Sequence, residues 1–265
     1  TIQGNLSYAF GIQNKIATVQ SFVHGVGNKI NAGGDNAVMF GYSNTSTGNA
    51  SMTMGHGNTI SGADAITLGV SNNVSSASSF SIGSSNTIGG SGNNNFAFGN
   101  SNSVAGNNSS NNFIFGSGAN IPNLNTSNNI ILGTGAGANT IYGGLYNISA
   151  GRLDSVLGQN HIALGYNNKI RSTAANISDQ GISIGSNNYI NLTPQSVSSA
   201  FISSVTSVAI GNNDSIENIT NGNPNYQNNS IVGSEDRISS TQESGIFGVN
   251  DEILPNPNEV NGADA

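Results

Sequence analysis

MTMGHGNTI at Met52–Ile60, ITLGVSNNV at Ile66–Val74 and FSIGSSNTI at Phe80–Ile88 state one pattern three times, each start 14 residues after the last. The pattern is apolar, any residue, apolar, Gly, two residues, Asn, one residue, then Ile or Val. It returns as YAFGIQNKI from Tyr8, FAFGNSNSV from Phe96, IALGYNNKI from Ile162 and ISIGSNNYI from Ile182, with weaker copies between and after. The glycines that anchor it are Gly11, Gly25, Gly41, Gly55, Gly69, Gly83, Gly99, Gly116, Gly133, Gly143, Gly158, Gly165, Gly185, Gly211, Gly233 and Gly248. A fixed period of this size is the mark of a repeat architecture.

Apolar residues alternating up to each glycine are the period-two signal of a strand, and the glycine supplies the backbone freedom for a sharp turn. A second glycine seven residues on, at Gly48, Gly62, Gly90 and Gly106, marks the return turn. Two legs of about five residues are too short for the crossover helix of a βαβ unit and fit one coil of a parallel β-solenoid. Sixteen anchors at about 4.8 Å per coil imply a rod roughly 75 Å long.

Columns of the stacked repeat indicate which faces are dry. The residue just before the anchor is large and apolar almost throughout, from Phe10 and Phe40 to Ile210 and Phe247, with His24 the exception. This column is expected to fill the interior. Two residues before the anchor the side chain points to the opposite face. That column holds Ala9, Val23, Met39, Thr53, Thr67, Ser81, Ala97, Ile114, Ile131, Ile141, Val156, Ala163, Ser183, Ala209, Ile231 and Ile246, with no charge and no Asn in an Asn-rich chain. Both faces are dry and one roll buries only one of them, so this second column is expected to meet other copies of the chain.

Composition excludes several classes. The 265 residues include 46 Asn, 39 Ser and 36 Gly, with only 35% hydrophobic and 7% charged residues and no Cys. So little apolar surface set against so many flexible residues argues against a compact enzyme core. Recurring aliphatic residues and low charge argue equally against disorder. A net charge of −7 leaves nothing to neutralise nucleic-acid phosphates. No apolar run reaches the length of a membrane helix, and Thr1–Gly4 has neither region of a signal peptide, as expected of a mature or excised segment. Without cysteine, disulfides and thiolate metal sites are excluded.

Three residues after the anchor stand Asn14, Asn28, Asn44, Asn58, Asn72, Asn86 and Asn102, then Asn168 and Asn188. Asn tolerates turn geometry, and amides stacked one coil apart can bond as a ladder. SVAIG at Ser207–Gly211, together with the 14-residue copies, resembles the head repeat of trimeric autotransporter adhesins of the YadA type, over about residues 8–253 and most specifically 8–106. The resemblance implies an all-β, left-handed parallel β-roll, three identical chains around one axis, and display from a bacterial outer membrane through a stalk and anchor outside this sequence. It implies as partners an immunoglobulin-like host receptor or a matrix protein such as collagen. Residues 1–253 then form the head, with loop insertions between about 165 and 233. Residues 254–265 form an exit segment, where NEVNGADA resembles the start of a family neck.

Catalytic chemistry finds little support. His24, His56 and His161 fall on separate coils, and Asp154, Ser155 and His161, though near in sequence, lack an evident oxyanion site. His24 in an apolar column reads as a satisfied histidine or a pH switch. Gly89–Asn93 lacks the Asp of calcium-binding nonapeptide repeats and reads as a turn. In the last coils the Asn column becomes Asp214, Asp236 and Asp251, with Arg237 available to counter it and calcium as the alternative. No cofactor is expected. Phe201 lies in the longest insertion near Tyr189, and Tyr226 lies in the next. These three, with Tyr42 and Tyr166 just after their glycines, are the candidate partner contacts. A non-enzymatic adhesin head, a spacer projecting another tip and an ice-binding solenoid remain as readings. The last requires a Thr ladder, where the column after the Asn mixes Lys15, Lys29, Thr45, Thr59, Asn73 and Thr87.

Overall fold

The computed structural model describes residues 1–123, 125–133, 139–172, 179–192, 205–218, 227–240 and 244–254. All regular structure among them is β, and the chain divides into two units, residues 1–138 and 139–265. Each unit is a parallel β-solenoid in which every coil gives a longer strand to one sheet and a shorter strand to a second. In the first unit the long strands run from Tyr8–Ile12 to Ile130–Gly133 and the short ones from Lys15–Ile16 to Asn120–Ile121. In the second they run from Ile148–Arg152 to Ser244–Val249 and from Thr140–Gly143 to Glu252–Ile253.

Register follows the repeat. Gly25 pairs with Gly41, Gly41 with Gly55, and Gly55 with Gly69, so equal repeat positions stack. The anchor must be glycine for two reasons. Its φ is positive, +122° at Gly41 and +126° at Gly55, and a Cβ on Gly41 would overlap the carbonyl oxygen of Gly55. Two residues later the chain turns through the left-handed region at Ser43, Ser71 and Ser85, which brings the following Asn inward.

Two of the anchors read from the sequence are not anchors. Gly143 ends the short strand Thr140–Gly143, and Gly158 follows the short strand Ser155–Leu157. The coil is anchored by Gly151, with φ +137° and paired with Gly165. One fewer coil results than the glycines suggested. Both errors arise because Thr140–Tyr142 and Ser155–Leu157 also alternate up to a glycine, although neither glycine is followed three residues on by Asn or Asp.

The two faces of the long strand are reversed relative to the sequence expectation. Val23, Met39, Thr53, Thr67, Ser81, Ala97, Ile114 and Ile131, expected at a trimer interface, are 0% exposed inside the roll of the single chain. So are Ala163, Ser183 and Ala209 in the second unit, while Ala9 is half-buried in the first coil. Ile141 and Val156 are buried too, from the short strands. The reason is steric. The opposite wall already presents Ile16, Ile30, Ile60, Val74, Ile88, Val104 and Ile121 inward, so the long strand has room for small and medium residues but not for rings. The coil of Met39, the longest inward side chain of these strands, carries Ser46 on its short strand where neighbouring coils carry Ile. The large column that includes Phe10, Met54 and Phe115 consequently lies outside.

Candidate functional site

On its outer side, the long-strand sheet of the first unit is an apolar face. One column runs through Tyr8, Phe22, Val38, Met52, Ile66, Phe80, Phe96 and Phe113, and the next through Phe10, His24, Phe40, Met54, Leu68, Ile82, Phe98 and Phe115. Rings from successive coils touch: Phe22 lies 5.4 Å from Phe40, Phe80 5.7 Å from Phe98 and Phe98 6.2 Å from Phe115, between centroids. Phe10 remains 54% and Phe115 57% exposed. Large contiguous apolar surface on so polar a chain marks an interaction site. His24, expected in the interior, belongs to this outer face, 6.3 Å from the Phe40 ring.

The Asn column is a buried ladder, as its repetition suggested. The main-chain N–H and Nδ2 of Asn44 donate to Asn28 Oδ1 at 3.0 and 3.1 Å, and Nδ2 also donates to the Gly55 carbonyl at 2.8 Å. Asn58 and Asn72 repeat this one coil apart. Each rung satisfies its own buried amide and a main-chain carbonyl of the next coil. A second ladder, which the sequence reading missed, lies just before the long strands. There Asn112 donates to Asn95 Oδ1 at 3.1 and 3.0 Å, and Asn129 to Asn112 Oδ1 at 3.2 and 2.9 Å. Its signal was Asn four residues before Gly99, Gly116, Gly133 and Gly151.

With Gly151 as anchor, the carboxylates of the first ladder column include Asp154 as well as Asp214, Asp236 and Asp251. Asp154 Oδ1 accepts the Asn168 N–H at 2.9 Å, Asp214 Oδ1 that of Asp236 at 3.3 Å, and Asp236 Oδ1 that of Asp251 at 2.8 Å. The Oδ2 atoms of Asp154, Asp214 and Asp236 are buried without a hydrogen-bond partner. Burial pushes Asp154 up to about 6, against the lowering effect of its bonds from Asn168. Asp214 is raised by burial first; the Asp236 N–H bond opposes this and the Asp236 charge adds to it. Asp251 is exposed. Arg237 does not counter this column. It pairs with Glu252 at 3.1 Å and Glu217 at 3.8 Å across the outer face of the short-strand sheet, half-exposed pairs that each contribute less than about 1 kcal/mol. Among the described residues no three His, Asp or Glu side chains form a cluster that could hold a metal ion.

No triad assembles from Asp154, Ser155 and His161. His161 is fully buried, and its Nδ1 accepts the Gly181 N–H at 3.0 Å. Its Nε2 makes no hydrogen bond, although the nearby Leu157 carbonyl favours the charged ring somewhat. Burial dominates and lowers the ring to about 4. The Asp154 oxygen that is bonded holds Asn168, so acid and imidazole do not meet.

The candidate partner contacts are spread out. Tyr42 is 53% exposed with an edge contact of 5.0 Å to His56. Tyr166 lies beneath the Arg152 guanidinium at 5.9 Å. Tyr189 is half-buried on a short strand, paired with Lys169 and Ser215. Phe201 and Tyr226 lie outside the described residues, as does the segment 255–265. The column Lys15, Lys29, Thr45, Thr59, Asn73 and Thr87 is stacked in register, but Lys and Asn break the Thr ladder. Comparison with protein-family models finds no match, and comparison with curated proteins finds none.

Proposed function

We propose that the chain is the non-enzymatic head of a bacterial surface adhesin, a left-handed β-roll that assembles as a homotrimer and binds a host protein. The observation that carries this reading is the exposed apolar face of residues 8–132. It is too large and continuous to remain in water, and a second and third copy offer the same surface in return. Its position differs from the sequence expectation, but the need for a partner at one strand face is the same. The likeness of the repeats to YadA-type heads supports the adhesin role, with outer-membrane display through a stalk and anchor.

Threefold presentation suits avidity, since several weak contacts hold where one does not. Immunoglobulin-like receptors or a matrix protein such as collagen are the partner classes the resemblance implies. The test is binding of the assembled chain to an array of such proteins. Saturable binding to at least one supports the reading; none above the background of an unrelated solenoid leaves a spacer that projects another tip.

A further inference from the structure

The amide ladder holds a substitution that changes its chemistry. At the Asn rungs Nδ2 donates to the carbonyl of the anchor glycine one coil on, for example at 2.7 Å from Asn14 to Gly25, 2.8 Å from Asn58 to Gly69 and 3.0 Å from Asn168 to Gly185. At Asp154, Asp214 and Asp236 the same place is taken by an oxygen. All three residues are 1% exposed, and in each the other oxygen keeps the ladder bond to the next coil. Asp154 and Asp214 each follow a neutral Asn rung, Asn139 and Asn188, whereas Asp236 is stacked on Asp214 itself. Around Gly211, where the Asn28 amide stands at the equivalent Gly25, the space holds Asp214 Oδ2 and the Gly233 carbonyl oxygen together. Two oxygens that both lack a proton repel there, and no other donor reaches Oδ2.

We propose that Asp154 and Asp214 are proton-binding sites, each carrying a hydrogen on Oδ2 and donating it to the facing main-chain carbonyl as the Asn amide does, so that mild acid removes the destabilisation each bare carboxylate imposes on its coil, in the sense opposite to the acid loss at buried His161. The proton comes from solvent and forms one O–H bond. A metal ion fits less well, because the gap spanned by the equivalent rungs is of hydrogen-bond length, whereas calcium needs six to eight oxygens at about 2.3–2.6 Å. The neighbouring charges do not supply the missing donor. Asp154 is flanked in its column by the neutral Asn139 and Asn168, and Arg152, Lys169 and Arg171 on the adjoining strands are exposed. Asp214 has Asn188 below and the carboxylate of Asp236 above, and Arg237 is engaged by Glu217 and Glu252 outside. Burial makes both groups hold a proton to higher pH than an ordinary carboxyl, which agrees with this geometry.

The test compares the full chain with D154N and D214N, which are isosteric and restore the amide, by thermal unfolding at about pH 7.5 and about pH 4.5. At the higher pH each variant should melt a few degrees above the parent, and at the lower pH that advantage should vanish, because the parent then carries its own donor. The infrared band of a protonated carboxylic acid, present in the folded parent at mildly acidic pH, should weaken in each variant. An advantage equal at both pH values, or variants that melt below the parent at both, overturns the proposal. A parent that is stabilised at neutral pH by millimolar calcium or sodium, where the variants are not, assigns Oδ2 to a cation and overturns it as well.

Discussion

Phe115 and Ile114 are adjacent on one strand and face opposite ways, so serine at each position gives opposite outcomes. Ile114 is 0% exposed in the single chain. Its replacement removes a fully buried aliphatic group, leaves a cavity and introduces a hydroxyl, at a cost of about 4 kcal/mol to the fold. Phe115 is 57% exposed. Its loss should change the stability of the isolated chain by about 1 kcal/mol. Under the proposed assembly what it removes is area between copies: full burial of a Phe stabilises by about 1.5–3 kcal/mol, so the exposed part would be worth about 1–1.5 kcal/mol per chain and about 3–5 kcal/mol in a trimer. That is roughly a hundred- to a thousandfold or more in the assembly constant. Sedimentation velocity over a dilution series, with circular dichroism melts of the same samples, separates the two effects. If F115S melts the fold while I114S leaves it intact, the assignment of the faces is wrong. If F115S folds and assembles like the parent, the face is not an interface.

Thr67→Val should stabilise the fold by about 1 kcal/mol, because the Thr67 hydroxyl is buried without a partner and Val keeps its shape; denaturant unfolding reads this directly. His161, lowered to about 4, stays neutral in the fold while the unfolded chain takes up a proton, so its contribution is complete above about pH 6.5 and is lost as pH falls toward 4, at most about 3 kcal/mol. His161→Asn, which would continue the ladder from Asn147, should abolish that acid loss in urea titrations and leave the opposing slope of Asp154 uncovered. Asp154 acts in the opposite sense over nearly the same range, its stabilising proton being lost as pH rises from about 4 to 6. The parent should therefore show a shallower pH profile between about 4 and 6 than either H161N or D154N alone.

The architecture was legible because the repeat states it many times. Gly41, Gly55 and Gly69 cannot carry a side chain, and Asn44, Asn58 and Asn72 each serve the coil before and the coil after, so both columns recur in register. The direction of the strand faces was not legible. Phe10 and Val23 are both apolar, and which column goes inside depends on the width left by Ile16 and Ile30 on the other wall, a property of the closed coil. The displaced anchor at Gly143 and Gly158 hid Asp154 from its column and so obscured that this carboxylate replaces a ladder amide. The second ladder at Asn95, Asn112 and Asn129 was available in the sequence, but it sits before the strand, where shorter coils use Ser21, Ser51 and Ser79 instead.

Multi-angle light scattering of the native chain at micromolar concentration tests most directly whether copies of the chain cover the outer apolar face. A folded, β-rich species of three times the 26.9 kDa chain mass is expected. A monodisperse folded species of 26.9 kDa, with Phe10 and Phe115 left in water, would contradict it.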